Sequence, residues 1–216
     1  MNHYILPVRF TLNGRPADVF VSHREDAVDL LKRMGLFGAR ESCGQGLCGC
    51  CTIKVDGLVV SGCLTLARLL DGTVVETVED LNRSGELSAV QRAFIDEWAF
   101  QCGFCTPGFI MMAEALLDEH PDPTDEQIVG HLSGNLCRCA TYPEVVQAVK
   151  RAAHNRKAHE GADQPRTLVR LNEKRGPRHL DTTKDPDTLN PPERHDQRHT
   201  RSQPHDGEIR FGSRRA

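Results

Sequence analysis

Eight of the chain's nine cysteines fall into two spaced sets, and no other feature limits the available folds as strongly. Cys43, Cys48, Cys51 and Cys63 read C-x4-C-x2-C, with the fourth cysteine after eleven further residues. Cys102, Cys105, Cys137 and Cys139 read C-x2-C, a long gap, then C-x-C. Four thiolates are what one 2Fe–2S cluster needs, and C-x4-C-x2-C…C is the plant-type ferredoxin spacing. A fold for this chain has to gather each set in one place. Two sets imply two clusters, and two redox centres without an evident substrate site read most simply as an electron conduit.

Glycines support the first assignment. Gly44, Gly46 and Gly49 interleave with the cysteines, and glycine lets a backbone curl closely and aim its N–H groups at sulfur. A four-cysteine zinc site is the competing reading, but zinc sites usually pair two C-x2-C knuckles across a gap. Three candidate ligands crowded into nine residues fit a cluster better. The second set is less selective, because C-x2-C plus C-x-C also suits zinc. Its cysteines precede two expected helices, whose positive dipole ends favour thiolate and cluster charge. Cys50 neighbours two candidate ligands and is read as a spare thiol without a role.

The bulk numbers exclude other classes. The net charge is −3 over 216 residues, too mild for nucleic-acid or membrane-surface binding. It is uneven: residues 157–216 hold 13 Lys and Arg against 10 Asp and Glu, leaving 14 against 20 for residues 1–156. No stretch approaches the ~20 apolar residues of a membrane-spanning helix. Met1 to Leu12 lacks a signal-peptide apolar core. The expectation is a cytoplasmic protein, with no membrane or nucleic-acid partner. In a reducing cytosol, nine cysteines point to metal ligation or redox chemistry rather than disulfides.

Periodicity divides the chain. Val8, Phe10 and Leu12 alternate as a half-buried strand does, Asn13-Gly14-Arg15-Pro16 is a turn, and Ala17 to Val21 is the returning strand. Asp26 to Met34 has helical spacing, with Val28, Leu31 and Met34 on one side. Thr52 to Val55 and Leu58 to Val60 flank the hairpin signal Asp56-Gly57, and Thr73 to Thr77 is a further strand. The expected fold class is α+β, beginning with a β-grasp domain of plant-type ferredoxin kind over 1–81. Ala89 to Phe100, Pro107 to Glu119, Asp125 to Leu132 and Tyr142 to Ala153 read as four helices, giving an all-α cluster-binding domain over 82–156. Thr124 with Gln127 is a capping-box signal. Residues 157–216 hold six of the twelve prolines and one aromatic, Phe211. That composition predicts a disordered, low-complexity charged tail.

Glu41-Ser42-Cys43-Gly44-Gln45-Gly46-Leu47-Cys48-Gly49-Cys50-Cys51 resembles the plant-type cluster loop of the molybdenum hydroxylases. That family includes xanthine dehydrogenase, aldehyde oxidoreductase and carbon monoxide dehydrogenase. Gln101-Cys102-Gly103-Phe104-Cys105-Thr106-Pro107-Gly108 and Gly134-Asn135-Leu136-Cys137-Arg138-Cys139 are similar to its second-cluster signature. The likeness covers about residues 5–155. It implies a small subunit between a molybdopterin-binding large subunit and an FAD-binding medium subunit, within a dimer of heterotrimers. Electrons would pass from molybdopterin to the helical-domain cluster, then to the plant-type cluster, then to FAD or another acceptor. It also implies that Gln101 and Cys139 approach the pterin. Where the family commonly has Thr-Gly-Tyr after C-R-C, this chain has Ala140-Thr141-Tyr142. The competing function is a free-standing two-cluster ferredoxin. An obligate subunit needs an apolar docking patch, for which Phe104, Phe109, Ile110 and Met111 are candidates, with ordinary core as the competing reading.

Overall fold

A computed structural model describes residues 5–82 and 85–160. Residues 161–216, and with them nearly all of the expected disordered tail, lie outside the described residues. Among the described residues the chain forms a mixed five-stranded sheet and five α-helices: β1 (Ile5–Leu12), β2 (Arg15–Ser22), α1 (Ala27–Arg33), β3 (Thr52–Val55), β4 (Leu58–Ser61), β5 (Val74–Glu76), α2 (Ala89–Asp96), α3 (Thr106–Glu119), α4 (Asp125–Leu132) and α5 (Tyr142–Glu160). The sheet order is β2-β1-β5-β3-β4. Only the β1–β5 pair is parallel.

Local chemistry sets the sheet. Asn13 and Gly14 both take positive φ, as do Asp56 and Gly57, the conformation a two-residue hairpin turn of the type I′ kind requires. Each pair joins antiparallel neighbours, β1 to β2 and β3 to β4. Along β1 the buried residues are Val8, Phe10 and Leu12, the alternation expected of a strand with one face on a core. They pack with Leu30 and Leu31 of α1, Ile53, Leu70 and Val75 in one apolar core. Asp26 caps α1, its carboxylate accepting from the Asp29 N–H at 2.9 Å.

A second core lies among α2–α5, built on Phe94, Phe109, Leu116, Ile128, Val145 and Val149. Capping boxes start α2 at Ser88 with Gln91 and α4 at Thr124 with Gln127. Helix α2 stops at Asp96 rather than reaching Phe100. Trp98 takes φ +53, and the Ala99 N–H bonds back to the Phe94 carbonyl at 2.9 Å, a left-handed cap of the Schellman type. Helix α5 runs past Ala153 to Glu160. Arg156 in its last turns is paired to Glu114 and Asp118, and Lys157 to Asp122.

Three of the four expected docking residues are core. Phe109 and Met111 are each 1 % exposed and Ile110 8 %, whereas Phe104 is 42 % exposed. The reason is packing on both sides: α3 lies against α2, α4 and α5 on one side and against β3 and β4 on the other. An apolar run along it is therefore interior.

Candidate iron–sulfur sites

The segment 38–51 is irregular loop between α1 and β3. Its N–H groups point inward. Gln45 and Leu47 each donate a backbone N–H to Cys43 Sγ at 3.4 Å. The Gly46 N–H serves Cys63. Three successive N–H groups directed at sulfur make an anion-binding concavity. The two donors from Gln45 and Leu47 hold the Cys43 thiol down to about 6. Burial pushes Cys63 up to about 11. The thiols meet in pairs, Cys43 against Cys48 and Cys63 against Cys51.

The second set is mounted on helix starts. Cys105 is the N-cap of α3, and Cys137 and Cys139 stand just before α5. The pairs are Cys102 with Cys139 and Cys105 with Cys137. The Phe104 N–H lowers the Cys102 thiol. Burial raises Cys105 to about 12. Burial opposes ionisation at Cys137 too, but the hydroxyl and N–H of Thr141 outweigh it and bring that thiol to about 7. The Cys137 N–H donates to the Tyr142 hydroxyl oxygen at 2.9 Å. The Tyr142 ring stands edge-on to Phe109, 6.2 Å between centroids, so the helical core anchors this loop.

All nine cysteines are free thiols. Among the described residues no three His, Cys, Asp or Glu side chains converge on a single ion position. A zinc site would need four ligands about one point. Two contacting pairs are what a two-iron cluster asks for, two thiolates to each iron. The donor set, its pairing and the inward N–H groups fit a 2Fe–2S group in both places.

The two loops touch. Leu136, adjacent to Cys137, donates its N–H to the Cys48 carbonyl at 3.0 Å. Asn135, 3 % exposed, donates Nδ2 to the Gly49 carbonyl at 3.3 Å. Gly49 lies at φ +68, and a Cβ there would collide with the Asn135 amide. Gly108 has no room for a Cβ either, because the Gly49 carbonyl occupies that space. Arg40 closes the seam, donating to the Gly103 carbonyl at 2.7 Å and lying over the Phe104 ring. Cys50 is buried in this seam, raised to about 12 by burial, with Cys48, Cys51 and Cys105 around it.

On the outer side, Gln101 is exposed and donates Nε2 to the Cys139 carbonyl at 3.4 Å. Cys102 is exposed and Cys139 half-buried, whereas Cys48, Cys51 and Cys137 are buried. Sequence reasoning missed Arg40, Asn135 and Thr141 as parts of the site. No spacing rule singles out an arginine or an asparagine whose task is set by a distant loop, or a threonine whose task is set by a local turn.

Residues 77–150 match the family of the 2Fe-2S binding domain. The chain is 49% identical over 139 residues to the small subunit of nicotine 6-hydroxylase from Paenarthrobacter nicotinovorans, covering 64% of this chain and 84% of that one. It is 40% identical over 148 residues to the small FeS subunit of nicotinate dehydrogenase from Eubacterium barkeri, covering 68% and 94%. Among solved structures it is similar to quinoline 2-oxidoreductase from Pseudomonas putida 86, with a TM-score of 0.69 and 38% identity over 72% of this chain and 98% of that one. The match to whole small subunits, together with the cysteine-bearing loops, removes the case for a free-standing ferredoxin. The chain belongs to the iron–sulfur small subunits of the molybdenum hydroxylases, and it is an electron-transfer subunit of a multi-subunit oxidoreductase.

Proposed function

We propose that Cys43, Cys48, Cys51 and Cys63 hold one 2Fe–2S cluster and Cys102, Cys105, Cys137 and Cys139 hold the second. On this reading 1–81 is a β-grasp ferredoxin-like domain and 82–156 a helical cluster-binding domain. A molybdopterin-binding large subunit sits on the side of Gln101 and Cys139. An FAD-binding medium subunit, or another acceptor, lies beyond the first cluster, in a dimer of heterotrimers. The clusters, when bound, each take up and release one electron at a time. A reducing cytoplasm keeps the thiols available.

The observation that carries this reading is the seam. The Leu136 N–H to Cys48 carbonyl bond links backbone beside one quartet to a ligand of the other. The chain thus offers a short covalent and hydrogen-bonded route between its quartets, with buried ligands at the seam and exposed ones outside. Gln101, bonded to the Cys139 carbonyl, fixes the outer loop where a pterin would approach. The experiment is gentle purification of the tagged chain from its own host, followed by iron, molybdenum and flavin analysis. Molybdenum and FAD in co-purifying subunits support the assignment. Iron without molybdenum or any partner overturns the partner reading.

A further inference from the structure

We propose that Thr141 is a positioning residue that raises the reduction potential of the helical-domain cluster, by donating its hydroxyl hydrogen to Cys137 Sγ. This rests on the reading of Cys102, Cys105, Cys137 and Cys139 as ligands of one cluster.

The geometry is specific. Thr141 Oγ1 lies 3.2 Å from Cys137 Sγ, and both residues are buried, at 3 % and 7 % exposure. In a free thiol either atom can donate. A ligating cysteine is a thiolate without a proton, so with iron bound the hydroxyl is the donor and sulfur the acceptor. Burial then matters twice: a buried hydroxyl needs a partner, and a hydrogen bond to charge is strongest away from water.

The sign follows from charge. Reduction adds an electron to a centre whose sulfurs already carry negative charge. A donor aimed at a ligand sulfur stabilises that form more than the oxidised one, so the potential rises. One electron moves per event, one centre losing what the other gains, and no bond breaks. Raising this potential alone favours electron arrival from the molybdenum side. It also holds the electron back from the other cluster, so Thr141 sets the share of each cluster in the half-reduced protein.

One backbone hydrogen bond and one turn hold the residue in place. The Thr141 carbonyl accepts the Val145 N–H at 3.1 Å, which ties the residue to the start of α5. Ala140 before it takes φ +61, the turn that brings position 141 back over Cys137.

The test is an EPR-monitored redox titration of the assembled enzyme, comparing the unmodified chain with Thr141→Val, Thr141→Ser and Thr141→Ala. Thr141→Val keeps the shape and removes the donor. It shifts the helical-cluster midpoint to lower potential, leaves the other cluster's midpoint in place, and lowers the helical cluster's share of the first electron. Thr141→Ser restores the original midpoint. Thr141→Ala, which also lacks the donor, gives the same downward shift and carries the test where the valine variant fails to assemble. Unchanged midpoints in Thr141→Val or Thr141→Ala, with both signals present, overturn the proposal. So does an equal shift in Thr141→Ser, because a structural role would not follow the hydroxyl. If the unmodified enzyme lacks two cluster signals, the ligand reading fails instead, before the variants are compared.

Discussion

At the scale of single residues, the two quartets make separable predictions. Cys102→Ser removes one proposed ligand from the second set alone. Iron content should fall from about four to about two per chain, since each 2Fe–2S cluster carries two irons, and electron delivery to an external acceptor should stop. Normal turnover in that variant would contradict the conduit. Cys50→Ala should keep both clusters. Its thiol is buried between the loops, and the candidate ligands around it already pair with one another, Cys43 with Cys48 and Cys51 with Cys63. Loss of iron from Cys50→Ala would assign it a ligand's place. The eight candidate ligands were legible because thiolate spacing is itself the chemistry. Asn135 was not, since its partner Gly49 comes from the other loop, nor was Thr141, whose contact with Cys137 depends on the local turn at Ala140.

At the scale of elements, the seam depends on two missing side chains. Gly108→Ala places a methyl group in the Gly49 carbonyl. The start of α3 and the first cluster loop must separate, and overpacking of this kind costs roughly 1–3 kcal/mol. Thermal melting should show that loss, together with altered spectra of both clusters. Gly130 is the contrast: it is an exposed interior position of α4 with open space where a Cβ would go. Gly130→Ala should stabilise by about 0.5–1 kcal/mol. If both substitutions behave alike, the close approach at Gly108 is not real. Phe94→Ala, in the helical core, should cost about 3–5 kcal/mol, read by chemical denaturation. Elements with a strong local signal were legible, among them the Asn13-Gly14 and Asp56-Gly57 turns and the Thr124 cap. The Ser88 cap, with Gln91 three residues on, carries a signal of the same kind. The end of α2 had no such signal, because its left-handed cap falls on Trp98 rather than on a glycine. The burial of Phe109, Ile110 and Met111 was equally hidden, since an apolar helical run looks the same whether it faces a partner or its own sheet.

At the scale of the whole molecule, all eight candidate ligands, both cores and the seam lie within residues 5–160. Removing residues 161–216 should leave iron content and both cluster spectra unchanged, and loss of either spectrum would show that the cluster-bearing part needs the remainder. The arrangement also orders the molecule by exposure. Cys102 with Gln101 lies outermost on the helical side, and the buried Cys48, Cys50, Cys51 and Cys137 lie inside. On the proposed reading, the exposed Cys102 and Gln101 mark the entrance of the conduit and the buried cysteines its interior. The central claim is that one chain holds two 2Fe–2S clusters, and the most direct measurement is iron, acid-labile sulfide and zinc per chain with EPR of the reduced protein. The account predicts about four irons and four sulfides, negligible zinc and two distinct reduced-cluster signals. Stoichiometric zinc, or a single cluster signal with half that iron, would contradict it.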